Sequence, residues 1–125
     1  MLDLAVVILN YNTRDLLREC LRTVYASQGA ISFDVCVVDN ASSDGSAAMV
    51  RTEFPQAVLV ASDQNGGFSY GNNLGLRHYG FTDQGGAADT EGTPRYALLL
   101  NPDTEVPPTA FADMVAFMDG RTQCG

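Results

Sequence analysis

Four short polar clusters hold the residues that could do chemistry: Asn10-Tyr11-Asn12, Asp39-Asn40-Ala41-Ser42-Ser43, the stretch from Ser62 to Gly67, and Asn101-Pro102-Asp103-Thr104. Each directly follows an apolar run, so a carboxylate or amide there can reach solvent while buried backbone holds it. Asp103 could ligate Mg²⁺ or Mn²⁺, which prefer oxygen and can take one carboxylate when phosphates and water complete the shell. Asn101-Pro102-Asp103-Thr104 is equally a good plain turn with Pro at its second position. Asp39 could accept the ring N–H of a uracil or thymine, or a ribose hydroxyl, and an ionised acceptor strengthens such a bond. It could also cap a helix or close an Asx turn, which Asn40 to Asp44 could equally provide.

Gly66-Gly67 ahead of a helical stretch lets backbone approach a ligand, with helix N–H groups facing any anion. Asn72 and Asn73 lie early in that stretch, where their amides could bond ribose or phosphate. His78 is the sole histidine and reads as a helix-surface residue. Asp44, Asp63, Glu91, Glu105 and Asp113 read as solvated charges. Ser42-Ser43 has no G-x-S-x-G setting, which leaves a serine hydrolase without support. No G-x-G-x-x-G follows the first apolar run, which argues against a standard NAD-binding domain.

Composition narrows the field. The chain has 125 residues, 46% apolar and 18% charged, with 12 Gly and 5 Pro. That suits one packed domain burying roughly two thirds of the unfolded surface. Seven basic against fifteen acidic residues leave a net charge of −8. Such a surface repels nucleic acid, so no nucleic-acid partner is expected, and an anionic ligand needs local N–H groups or a cation. The apolar runs fall far short of the ~20 residues that span a bilayer, and the N-terminus lacks a signal-peptide pattern. Cys20, Cys36 and Cys124 lack C-x-x-C spacing and read as reduced thiols of a cytoplasmic protein.

The elements that must position these clusters alternate. Asp3 to Leu9 is an aliphatic run of the kind buried on both faces. A helix capped by Thr13 follows, with Leu16, Leu17, Cys20, Leu21, Val24 and Tyr25 as its apolar positions. Phe33 to Val38 is a second strand, with Asp39 to Ser43 as the loop after it. Ser43 or Asp44 starts a helix ending before Pro55, and Ala57 to Ala61 is a third strand. Ser69 to Tyr79 reads as helix, Gly80 to Pro94 as an aperiodic, mobile segment, and Arg95 to Leu100 as a fourth strand. Pro107 or Pro108 opens a last helix with Phe111, Met114, Val115 and Met118 on one side. This alternation predicts an α/β fold, a mostly parallel Rossmann-like sheet with helices on both faces. In such sheets ligands bind beyond the carboxyl ends of the strands, where all four clusters would gather.

Val6-Val7-Ile8-Leu9-Asn10-Tyr11-Asn12, Val37-Val38-Asp39-Asn40-Ala41-Ser42-Ser43-Asp44-Gly45, Asn65-Gly66-Gly67-Phe68-Ser69-Tyr70-Gly71-Asn72-Asn73-Leu74-Gly75 and Leu98-Leu99-Leu100-Asn101-Pro102-Asp103-Thr104 stand in register. In order and spacing they resemble the N-terminal half of family 2 glycosyltransferases with the GT-A fold, especially rhamnosyltransferase-like members. The resemblance implies that Asn10, Tyr11, Asn12 and Asp39 contact the nucleobase and ribose of a nucleoside-diphosphate sugar, a UDP- or dTDP-sugar. By the same likeness Asn65, Gly66, Gly67 and Asn73 line the nucleotide pocket. Asn101-Pro102-Asp103 stands where the family carries its D-x-D motif, with Asn replacing the first Asp, so Asp103 alone matches the ligand for Mg²⁺ or Mn²⁺. The implied reaction is inverting transfer of a sugar to a hydroxyl of a glycan or lipid-linked acceptor. The family's domain continues beyond this motif, so the chain is expected to be a single nucleotide-sugar-binding domain, incomplete at its C-terminus. No catalytic base is assigned, and neither Asp113 nor Asp119 is expected to be one. In the full-length enzyme the location would be cytoplasmic or peripheral at the inner membrane face. The alternative reading is a non-catalytic nucleotide-sugar-binding or self-associating module, for instance a homodimer.

Overall fold

The computed structural model describes residues 2–63, 65–81 and 94–122. Among these the chain runs β1 (Leu4–Asn10), α1 (Arg14–Tyr25), β2 (Phe33–Asn40), α2 (Ser46–Glu53), β3 (Val58–Ser62), α3 (Phe68–His78), β4 (Tyr96–Leu100) and α4 (Ala110–Thr122). The sheet order is β3-β2-β1-β4, and every pair is parallel. Strand order therefore reverses between β1 and β4, which makes that junction the crevice where such sheets bind ligands.

The near-continuous aliphatic runs form strands because both faces are covered. On one face Val6, Ile8, Val35 and Val37 pack against Leu17, Leu21 and Val24 of α1, Met49 and Val50 of α2, and Phe111 and Val115 of α4. On the other, Ala5, Val7, Cys36 and Val38 meet Leu74 and Leu76 of α3 and Tyr79 just beyond it. Alternation along a strand thus sends neighbouring residues to opposite layers. Cys20 and Cys36 are buried free thiols, as expected.

Several boundaries and faces differ from expectation. β1 and β2 run on through Asn10, Asp39 and Asn40, because these polar side chains bond one another or the adjoining loops while their backbones stay paired. α2 starts at Ser46, with Gly45 at its N-cap and φ of +87°, and not at Ser43 or Asp44. Leu16 is 51% exposed because the buried stripe of α1 passes through Leu17, Cys20, Leu21 and Val24. Met114 and Met118 are 37% and 42% exposed, whereas Phe111 and Val115 face the core. The segment read as mobile lies mostly outside the described residues, as does Cys124.

α3 approaches the sheet closely enough that glycine is required at its contact. A Cβ on Gly75 would overlap Cγ1 of Val7 and stand 3.3 Å from Cγ2 of Val38. Val7 and Val38 are fully buried and β-branched, so neither yields easily. Gly75→Ala is expected to lose about 1–2 kcal/mol of stability, since overpacking outweighs a helix-propensity gain of about 1 kcal/mol. Among the described residues nothing stands within 4 Å of the corresponding position on Gly120. Gly120→Ala should therefore change stability in the opposite direction, by roughly 0.5 kcal/mol. Urea denaturation of the two variants reads both signs.

Candidate functional site

Because all four strands are parallel, their carboxyl ends share one rim. Asn10 pairs with Asp39, Asn40 with Ser62, and Ile8 with Leu100 in register. The loops carrying the polar clusters therefore leave the sheet side by side.

The loops after β1 and β2 are laced together. Asn10 is fully buried, and its Nδ2 donates to Asp39 Oδ1 at 3.0 Å and to Ser42 Oγ at 3.3 Å. Its Oδ1 accepts from Thr13 Oγ1 at 2.5 Å. Asp39 is 4% exposed, and its second oxygen accepts from the Ser42 backbone N–H at 3.1 Å. Asn12, exposed and at φ +53°, gives its N–H to Ser42 Oγ at 2.9 Å and accepts from the Ser43 N–H at 2.8 Å. Ala41 also holds a positive φ of +63°. A non-glycine residue there is strained, and such strain concentrates at ligand-binding loops. Tyr11 is half exposed above this network.

Asp44 belongs to the same lacing, a correction to its reading as a solvated charge. Its Oδ2 accepts from the Arg14 N–H at 2.9 Å, and its Oδ1 accepts from the N–H of Ser46 at 3.0 Å and from the Ser46 hydroxyl. Arg14 returns a bond from Nη1 to the Asp44 carbonyl at 3.0 Å. Partial burial pushes the Asp44 carboxyl up, but the bonds from Ser46 and Arg14 outweigh it and hold the group below its usual range. Glu53 is lowered by its bond from Arg18, and Asp3 by the Ser32 backbone and Arg95. A carboxylate whose folded pKa is depressed adds stability above its unfolded value, near 4, and that stability is lost as pH falls through the folded value. Unfolding free energy should therefore be flat above about pH 5 and fall below about pH 4. Asp44→Asn should flatten part of that acid limb in urea titrations at stepped pH.

On the opposite face, Asn40 Nδ2 donates to Asn65 Oδ1 at 2.7 Å, and the same oxygen accepts from the Gly67 N–H at 3.0 Å. Gly67 caps α3 at φ +92°, a conformation suited to glycine. A Cβ on Gly66 would overlap the ring of Tyr70, so the glycine pair lets that ring lie against the backbone. Asn72 is the buried member of its pair, at 5% exposure, while Asn73 is half buried. Asn40 Oδ1 and Asn72 Nδ2 are buried with no hydrogen-bond partner among the described residues.

After β4, the Thr104 N–H closes onto the Asn101 carbonyl at 3.1 Å, so the segment is indeed a turn with Pro102 at its second position. The turn is held to α1 by Cys20 Sγ, 3.8 Å from that carbonyl, and by the Val106 N–H on Thr23 Oγ1 at 2.9 Å. Burial, and secondarily the Asp103 charge, pushes the Cys20 thiol up to about 11. Asn101 and Asp103 are exposed, and Asp103 accepts no hydrogen bond from the described residues. The turn reading and the ligand reading thus coexist: the turn presents the carboxylate. No group of three or more His, Cys, Asp or Glu gathers among the described residues. A single exposed carboxylate still fits Mg²⁺ or Mn²⁺ where a diphosphate supplies further oxygens.

The remaining acidic candidates lie elsewhere. Asp119 accepts from Arg95 and, at 2.7 Å, from Tyr96 Oη at the amino end of β4, away from the rim. Asp113, exposed on α4, accepts from Thr109 Oγ1 at 3.1 Å. His78 is exposed, its ring edge-on to Tyr79. What sequence reasoning missed on the rim is Asn40, Ser42 and Asp44 as organisers. Counting the strand alternation two residues past Val38 would have placed Asn40 on the α3 face.

The model of the family described as Glycosyl transferase family 2 matches residues 5–124. Among solved structures, the chain is similar to S. aureus TarS 1-349, at 20% identity and a TM-score of 0.74, over 95% of this chain and 33% of that one. The same protein in complex with UDP-GlcNAc gives 22% identity and a TM-score of 0.73, over 95% and 32%. The mannosyltransferase PcManGT from Pyrobaculum calidifontis, in complex with GDP-Man and Mn²⁺, is 31% identical with a TM-score of 0.53, over 60% of this chain and 24% of that one. The chain thus spans a third or less of each of these chains. No curated protein matches it.

Proposed function

This chain belongs to glycosyl transferase family 2, and from that premise we propose that its carboxyl-end rim binds the nucleoside-diphosphate sugar that donates in an inverting glycosyl transfer. The observation that supports this most is the pairing of two carboxylates with different settings across the strand-order reversal. Asp39 is buried and held in place, while Asp103 is exposed and accepts no bond from the described residues.

In this reading Asp39, oriented by Asn10 and Ser42, faces the base and ribose, with Tyr11 and Asn12 beside it. Asn65, Gly66, Gly67 and Asn73 border the nucleotide, and first-turn N–H groups of α3 face its negative charge. Asn101 would border the sugar nucleotide, and Asp103 would hold Mg²⁺ or Mn²⁺. Such an ion, when bound, neutralises charge on the departing diphosphate. The donor is a UDP- or dTDP-sugar, and rhamnosyltransferase-like chemistry follows the motif order. That TarS was solved with UDP-GlcNAc and PcManGT with GDP-Man and Mn²⁺ supports a sugar nucleotide as the ligand class. The acceptor, a glycan or a lipid-linked hydroxyl, and the base that deprotonates it are assigned to no residue of this chain. We read residues 1–125 as one donor-binding domain of a longer enzyme.

Calorimetry with UDP and dTDP, in Mn²⁺ and in EDTA, tests this. Saturable binding of one nucleotide that weakens in EDTA is the expected result. No binding of either nucleotide in Mn²⁺ would overturn the reading.

A specific surface favours a second reading, the self-associating module. Met114, Phe117 and Met118 of α4, 37% to 59% exposed, line an apolar groove with Leu4, Tyr96 and Leu98. Uncovered apolar surface of this kind is commonly an interface. A dimer in sedimentation equilibrium without nucleotide affinity would favour it over donor binding.

A further inference from the structure

Consecutive residues of a strand point to opposite faces, so Asp39 and Asn40 at the end of β2 serve different sides of the rim. Asp39 ties the loops after β1 and β2. Asn40, 2% exposed, reaches the loop before α3.

We infer that Asn40 is a positioning residue for the nucleotide site: its buried amide holds Asn65, and through Asn65 the Gly66-Gly67 turn and the start of α3, in the geometry that receives the ligand. The inference rests on the donor-binding reading and deepens it. Asn65 Oδ1 is the shared acceptor, taking Asn40 Nδ2 at 2.7 Å and the Gly67 N–H at 3.0 Å. Gly67 in turn accepts, on its carbonyl, the Gly71 N–H that closes the first turn of α3 at 3.1 Å. The chain of bonds therefore runs from the sheet interior to the helix end without a gap. Asn65 itself is exposed, and a Cβ added to Gly67 would meet nothing within 4 Å among the described residues. Without the Asn40 bond, Asn65 keeps its Asx-type bond from the Gly67 N–H but loses its tie to the sheet.

The tests use the whole chain with UDP and Mn²⁺ as probe. Asn40→Ala and Asn65→Ala should each weaken UDP binding about tenfold, and the double variant no further, because both remove one linkage. Asn65→Asp keeps the shared acceptor, so in the ligand-free chain hydrogen exchange of the Gly71 amide should stay within about twofold of the parent. A general loss of packing would not be rescued by this conservative change. Equal UDP affinity in the parent and both alanine variants, additive losses, or Gly71 amide exchange as fast in Asn65→Asp as in Asn65→Ala would each overturn the inference. If Asn40→Ala does not fold, the contrast in Gly71 amide exchange between Asn65→Ala and Asn65→Asp decides alone. Should the parent bind no UDP, the donor reading fails separately, and hydrogen exchange of the Gly71 amide in the ligand-free chain decides. Exchange about tenfold faster in Asn65→Ala but not in Asn65→Asp supports the linkage, and equal rates overturn it.

Discussion

Asp39→Ala is expected to lower the unfolding free energy by about 2–4 kcal/mol, a large fraction of what holds a domain of this size together. Two donors lose their acceptor. Asn10 Nδ2 sits on a fully buried residue and keeps only its longer bond to Ser42 Oγ at 3.3 Å, so water cannot readily replace the carboxylate. The Ser42 N–H lies on a half-buried loop and can be partly rehydrated, which keeps the loss from doubling. Asp39→Asn preserves shape, but its amide must turn one N–H toward a donor, either Asn10 Nδ2 or the Ser42 N–H. About 1–2 kcal/mol should go with it. Urea denaturation separates the two variants. A loss below about 0.5 kcal/mol for the alanine variant would show that Asp39 is not the hub of this network. In the donor-binding reading, Asp39→Asn should also bind UDP more weakly than its stability change explains, since a neutral amide is the poorer acceptor.

The same network explains which parts of the fold were legible in the sequence. Aliphatic runs ending in polar clusters announce buried parallel strands, and the alternation with helical stripes fixes a sheet with helices on both faces. The strand ends were harder to read because Asn10, Asp39 and Asn40 look like loop residues. They stay in the ladder because each side chain finds a partner there, Asn10 on Asp39 and Asn40 on Asn65. Asp44 was misread for a related reason. Its partners, the backbone N–H of Arg14 and the N–H and hydroxyl of Ser46, come from the start of α1 and from the helix it precedes. No spacing rule reports a bond made across 30 residues. Leu16 shows the converse, an apolar residue in a helical pattern whose stripe is already complete without it.

The clusters themselves were legible because a parallel sheet sends every strand's carboxyl end to one side. Which atoms on that rim are free was not legible. Asn10 carries a motif position yet has its whole amide engaged below the surface, whereas Asp103 at the next strand over accepts nothing from the described residues. The division between residues that hold the site and residues that face the ligand is a matter of hydrogen-bond bookkeeping, and only coordinates supply it.

For Asp103, charge predicts opposite signs for two roles. The chain carries a net charge of −8, and Asp103→Ala would make it −8 + 1 = −7. If the carboxylate only adds to the field that repels a diphosphate, its removal should leave UDP affinity unchanged or raise it slightly. If it clamps a divalent ion against the diphosphate, removal should weaken UDP binding in Mn²⁺ by about 100-fold, near the upper end of what loss of a metal-site residue costs. In EDTA the variant and the parent should then bind equally weakly, because the ion carries the difference. Folding offers no competing explanation. An exposed side chain that accepts no hydrogen bond from the described residues should change stability by less than about 0.5 kcal/mol on truncation. Asp103→Asn keeps the size and one neutral oxygen, so it should fall close to alanine in Mn²⁺ if charge is what binds the ion. Calorimetry of the parent and the two variants, with and without Mn²⁺, gives all the signs at once. Stronger UDP binding in either variant would remove Asp103 from the metal site and with it the account of how so acidic a surface holds a diphosphate.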